Sequence, residues 1–212
     1  MRGYFTSVLS AVCVFVGSVS AHAALLAPGG FFLPVPGEPD PVGGAVVAST
    51  TVPFSVPGAF SGSVTAQVYA GDFSNPLGGL TFTYKVTNDG VAGPNSIGRV
   101  TVDDYTAWVT DVSYQVPVPV GSVAPATADR VVSGDVLGFN FLPLAPPAGF
   151  LAPGLSSALL VIQTNAPAFT SGTTFLIDGG TTSVPTFGPI PEPGALALLT
   201  AAPLLALRRR GR

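Results

Sequence analysis

Charge is what this chain has least of. Only 9% of its 212 residues are Asp, Glu, Lys or Arg, too few for a coiled coil, a charged disordered tail or a basic nucleic-acid surface. Cysteine, histidine and methionine occur once each, as Cys13, His22 and Met1. All three fall before residue 24, so a chain cut there keeps none of them. It would then form no disulfide. The usual thiolate and imidazole ligands for zinc, copper, iron–sulfur clusters and haem iron would be missing. So would any nucleophile activated by histidine. Helix signals are scarce too: between residues 24 and 192, Gly or Pro interrupts most apolar i, i+3, i+4, i+7 series.

What is abundant is apolar side chains, at 47%, together with 26 glycines and 22 prolines. Part of the apolar excess lies at the two ends. Residues 1–23 have the order of a secretory signal peptide, predicting an N-terminal signal helix. Arg2 supplies the basic start, and Val8 to Val19 is a mostly apolar run of 12 residues, too short to span a hydrocarbon core of about 30 Å. Ala21-His22-Ala23 places small residues where signal peptidase requires them. Cleavage after Ala23 is expected, and with it export through the inner membrane.

At the other end, Pro191-Glu192-Pro193-Gly194 precedes Ala195 to Leu207, 13 residues without a charge, and then Arg208-Arg209-Arg210-Gly211-Arg212. As a helix the uncharged run would span about 20 Å, and Pro203 weakens it. The arginines would keep the C-terminus cytoplasmic. The segment suits transient membrane insertion better than permanent anchoring.

This order resembles the PEP-CTERM sorting signal of Gram-negative bacteria. Pro191, Glu192 and Pro193 match the tripeptide, Ala195 to Leu207 the short hydrophobic helix, and Arg208, Arg209 and Arg210 the basic cluster. The resemblance implies recognition by an exosortase, with release or re-anchoring at the surface of a cell that builds an exopolysaccharide matrix. The stretch from Leu80 through Asn88, Arg99 to Tyr105 and Thr110 to Val112, ending near Thr164 to Ala166, is similar to a subset of the same proteins. It implies no activity and no binding residues.

Between the ends, residues 24–44 are rich in Pro and Gly and read as an extended arm, 45–186 as one folded domain, and 187–212 as a stiff spacer followed by the sorting signal. Alternation predicts strands in the domain. Leu80, Phe82, Tyr84 and Val86 alternate with Thr81, Thr83, Lys85 and Thr87 before the Asn88-Asp89-Gly90 turn. Similar patterns surround Val64 to Ala70, Val112 to Val116, Leu137 to Phe141 and Thr174 to Asp178, and Ala158 to Ile162 is apolar throughout. Short strands with turn signals every ten or so residues predict an all-β, antiparallel β-sandwich, immunoglobulin-like or jelly-roll in style. Trp108 and the phenylalanines are its expected core.

Candidate chemistry is sparse. Lys85, Arg99 and Arg130 are the only basic residues of 24–192, against eleven acidic ones, which argues against nucleic acid and anionic lipid as partners. Glu38 and Glu192 fall in linkers. Asp103, Asp104, Asp111 and Asp135 remain as carboxylates for glycoside hydrolysis, but adjacent residues of a strand face opposite ways, so Asp103 and Asp104 alone form no catalytic pair. Asp178-Gly179-Gly180 resembles one of the two loops an aspartic protease needs, and a second is missing. Asp72 with Asn75, Asn88 with Asp89, and Asp103 with Asp104 offer oxygen ligands for a structural calcium, or simply form turns. Arg99 with Asp103 and Arg130 with Asp129 read as surface ion pairs. Lys85, on the polar side of its strand, is badly placed for an isopeptide bond. Tyr69, Tyr105 and Trp108 could stack on sugar rings if exposed.

The expectation is a non-enzymatic, exported surface protein with a structural or adhesive role in a biofilm matrix. It needs no cofactor, and its partners are signal peptidase, an exosortase and extracellular polysaccharide. A carbohydrate- or calcium-binding module sharing that route is the alternative, and a secreted hydrolase comes third.

Overall fold

The structure, a computed structural model, describes residues 24–191. The signal helix and C-terminal helix expected from the sequence lie outside those residues. Fifteen strands follow one another with no helix among the described residues. The first three are short: β1 (Ala24–Leu25), β2 (Phe31–Phe32) and β3 (Gly37–Pro39). Then come β4 (Ala45–Val56), β5 (Phe60–Ala70), β6 (Thr81–Asn88), β7 (Arg99–Val102), β8 (Thr110–Val116) and β9 (Ser122–Val123). The remainder are β10 (Thr127–Arg130), β11 (Leu137–Asn140), β12 (Ser156–Ser157), β13 (Leu160–Thr164), β14 (Phe169–Ile177) and β15 (Thr181–Pro189).

They build two sheets. In one, β4, β5, β6, β13 and β8 are successive neighbours, with β1 and β3 lying one after the other along the free side of β8, and with β12 and β9 extending the far end of β6. The other has the order β15-β14-β7-β11-β10-β2. Pairing is antiparallel apart from β3 on β8 and β12 on β9. From β6 onward the chain changes sheet repeatedly: β6, β8 and β13 lie in the first, and β7, β10–β11 and β14 in the second.

One hydrophobic cluster fills the space between the sheets. Val64, Ala66 and Val68 of β5, Phe82, Tyr84 and Val86 of β6, and Leu160 and Ile162 of β13 meet Val100, Val102, Leu137, Phe139, Leu176 and Val184 of the second sheet. The period-2 pattern places these residues on inner faces. Tyr84 also ties the sheets together, because its hydroxyl donates to the Phe187 carbonyl at 2.6 Å and lies 3.0 Å from the Tyr105 hydroxyl. Burial pushes both phenols above their ordinary pKa.

Several expectations change in detail. The 24–44 segment is extended, but it is paired into both sheets through β1, β2 and β3, and its Leu26 and Val35 belong to the core. Phe187 to Pro189, assigned by sequence to the spacer, are the last rungs of β15. The apolar run Ala158 to Ile162 becomes strand only from Leu160. Trp108 is buried but stands outside the main cluster, whose large anchors are Phe60, Phe82, Phe139, Phe141, Tyr84 and Tyr105. Asp103 and Asp104 follow the end of β7, and Asp104 has a φ of 74°, so strand alternation does not govern them.

Candidate functional site

Both ends of the described chain meet at one pole. Ile190, just beyond β15, donates to Ala168 O at 3.2 Å and accepts the Trp108 indole N–H at 3.0 Å. Leu25, Leu26, Ala27 and Pro28 line a mainly apolar pocket of about 320 Å³ with Trp108, Val109 and Arg130. Pro191 is exposed at the exit. Glu192, Pro193, Arg208, Arg209 and Arg210 lie outside the described residues, as do Ala21 and Ala23.

Arg130 organises this pole. Sequence proximity to Asp129 suggests a surface ion pair, but neighbours on a strand face opposite ways. Arg130 shares the inner face with Ala128 and is 3% exposed. Its Nε donates to Gly134 O at 2.9 Å, one Nη to Leu26 O at 3.2 Å and Thr110 Oγ1 at 3.1 Å, and the other to Tyr105 O at 2.6 Å and Trp108 O at 2.9 Å. The guanidinium's five N–H bonds thus meet five acceptors. Desolvation lowers its pKa, opposed by the charges of Asp135 and Tyr105. Asp129 faces outward and takes Arg99 in a two-pronged ion pair at 2.5 and 2.7 Å, with Asn140 completing the group. Arg99 therefore pairs with Asp129 rather than with Asp103.

Most polar residues proposed for calcium are committed to turns. Asp72 accepts from Gly43 N, Ser74 N, Ser74 Oγ and Thr81 Oγ1 at 2.6–3.0 Å. The Asn75 amide donates to Gly79 O and Thr164 O at 3.0 Å, and that of Asn88 to Asn95 O and Leu151 O. Asp89 accepts from Ser61 Oγ and Val91 N. Among the described residues no group of three or more His, Cys, Asp or Glu side chains is placed to hold a metal. Asp178-Gly179-Gly180 forms the β14–β15 hairpin turn, closed by Asp178 N on Gly180 O at 2.9 Å.

Asp103 accepts from Thr173 N at 2.6 Å. Burial, then the charges of Asp103 and Asp135, raises the pKa of Asp104, whereas Asp135 is held low chiefly by the Ser133 hydroxyl.

Of the sugar-stacking candidates, Tyr105 is fully buried and Trp108 nearly so. Tyr69 remains half-exposed on the outer face of the first sheet, where its hydroxyl donates to Gln67 Oε1 at 2.8 Å. Gln67 reaches Ser49, Thr51 meets Thr65, and Lys85 stands exposed across from Thr65. Glu38, assigned by sequence to a linker, is buried and accepts from Ser113 Oγ at 3.1 Å. Comparison with family models, curated proteins and solved structures gives no match.

Two outcomes follow from these environments. Arg130→Met strands several carbonyls away from water, so urea denaturation should show a loss of about 3 kcal/mol or more, with Arg130→Lys recovering only part. A wild-type midpoint in Arg130→Met would contradict the role given to the guanidinium. Asp104 has a raised folded pKa, so its charge disfavours the fold at neutral pH and protonation relieves it. Asn tolerates positive φ, so Asp104→Asn should stabilise at pH 7, with the gain fading as pH falls through the raised folded pKa and gone below about 4. A gain that persists unchanged at pH 3 would rule out the charge as its origin.

Proposed function

We propose that this chain is an exosortase substrate of a Gram-negative bacterium: exported, trimmed at both ends, and placed at the cell surface or in its exopolysaccharide matrix. The observation that carries this reading is the C-terminal order of Pro191-Glu192-Pro193, an uncharged run of 13 residues and an arginine cluster. Signal peptidase removes residues 1–23. The C-terminal run inserts into the membrane only until an exosortase acts on it. The folded body, read as a jelly-roll-style sandwich because its chain changes sheet so often, is the exported unit.

Its role is structural or adhesive rather than catalytic. Two observations support this. Most of the described carboxylates and amides that could do chemistry are engaged in turn and strand bonds. The open outer face of β4, β5 and β6 presents Ser49, Thr51, Thr65, Gln67 and Tyr69, a nearly uncharged array of hydroxyls and an amide. Such groups hydrogen-bond sugars with little dependence on salt.

Intact mass of the exported protein, from cells with and without the exosortase, tests the processing. A product starting at Ala24 and ending near Pro191 to Gly194 only when the enzyme is present is expected. Retention of Arg208 to Arg212 in both strains would sink the reading. Affinity electrophoresis through the host's own polysaccharide tests the adhesive face: Tyr69→Ala should lose most of the retardation, as sugar stacking on one aromatic implies. Equal retardation of variant and wild type would move the contact elsewhere.

A further inference from the structure

The chain has one Asp–Pro bond, Asp40–Pro41, at the corner where the arm leaves β3 and heads for β4. Asp40 takes a φ of 48° there. Three non-glycine residues among those described have positive φ, namely Asp40, Asp104 and Ala107, and Asp40 alone precedes a proline. Aspartate visits the left-handed region more readily than most residues. A following proline ring, however, favours extended backbone at the residue before it. The corner therefore holds Asp40 in a conformation that its own neighbour opposes, and such a conformation persists only where the surroundings impose it.

Both sides of the bond are fixed. Pro39 is the last rung of β3, opposite Val116 of β8. Pro41 is buried, and its carbonyl accepts from Ser74 Oγ at 2.9 Å and from Gln163 Nε2 at 3.1 Å. Two residues on, Gly43 N donates to Asp72 Oδ1 at 2.7 Å. Between these anchors Asp40 itself is exposed, so solvent reaches it. The left-handed conformation also crowds Cβ against the carbonyl that follows it. An aspartate carboxyl can close a small ring onto its own carbonyl carbon, and proline leaves more readily than other residues because its nitrogen departs as a basic secondary amine.

We propose that Asp40–Pro41 is a self-cleavage site, broken by the Asp40 carboxyl in mildly acidic surroundings. A carboxylate oxygen of Asp40 bonds to the Asp40 carbonyl carbon. The bond from that carbon to Pro41 N breaks, and the nitrogen takes a proton from solvent and leaves as an amine. The cyclic anhydride left on Asp40 takes up one water and opens to two carboxyls, so the sum is hydrolysis of one peptide bond. Nucleophile and target belong to one residue, and no second side chain has to be brought up. The arm then becomes a separate peptide, still paired through β1, β2 and β3. The bond lies within the folded body whichever ends are trimmed, so the cut is independent of the sorting signal.

The test uses full-length protein purified at neutral pH. It is moved to mildly acidic buffer with protease inhibitors, either native or unfolded in urea, and followed by intact mass. Native protein should yield one fragment ending at Asp40 and one beginning at Pro41, together heavier than the parent by one water. The native rate should exceed the rate in urea about tenfold, because the backbone strain that cleavage relieves is absent from the unfolded chain. Asp40→Asn keeps a residue that tolerates positive φ but removes the carboxylate, and it should stay uncut over the same time. A native rate equal to or below the rate in urea would overturn the proposal, because the cut would then owe nothing to the fold. So would cleavage of Asp40→Asn at the wild-type rate, a rate that rises with protein concentration, or no cut in either state.

Discussion

A single guanidinium with five partners holds one pole of this protein together. Arg130 reaches the arm at Leu26, the β7–β8 loop at Tyr105 and Trp108, the first residue of β8 at Thr110, and the β10–β11 turn at Gly134. These are mainly backbone carbonyls at places where the sheets stop and cannot satisfy them. A buried charge is costly unless it is fully hydrogen-bonded, and here each N–H bond has an acceptor. The charge and the loose ends of the chain solve each other's problem. Trp108 extends the arrangement to Ile190, so the entry and exit of the folded body are fastened to the same few residues.

The same economy runs through the molecule. Arg99 with Asp129 is the one salt bridge recorded among the described residues. Elsewhere hydroxyls, amides and the Asp72 carboxylate do the cross-bracing: Asp72 gathers Gly43, Ser74 and Thr81, Ser157 supports Val86 N, and Thr174 meets Thr186 between β14 and β15. Glycine and proline fit this design. Gly179 takes a φ of 58° in the β14–β15 turn, and Pro53 and Pro185 sit in β4 and β15, each an edge strand where a missing N–H is tolerated. Bonds between neutral groups are insensitive to ionic strength.

The strands with one buried and one open face were legible from sequence. β5 and β6 alternate cleanly; β6 and the end of β5 fall within a residue of the pattern, while β5 begins four residues before it, at Phe60. Thr81 and Thr83 are buried nonetheless, because strand alternation shows which way a side chain points and not what covers it. β4 and β15 were not legible. Serine, threonine and proline interrupt their apolar series, and their pairing supplies what local preference lacks. The arm reads as linker because proline and glycine dominate it, yet Leu26 and Val35 anchor it in the core. Arg130 is hidden for a simpler reason: its neighbour Asp129 suggests an ion pair, and only the alternation with Ala128 turns it inward. The sorting residues Pro191 to Pro193 and Arg208 to Arg210 are legible only as an order along the chain, with Pro191 alone among the described residues.

Native-state proteolysis of the purified protein with a protease of broad specificity, read by intact mass, tests most directly whether arm, sandwich and clasped pole form one folded unit. Resistance from Ala24 through about Ile190, with any cuts beyond Pro191, is the predicted result. Early trimming to a stable fragment beginning near Ala45 would contradict it, because the arm would then be a linker and Arg130 could not be the centre that holds it.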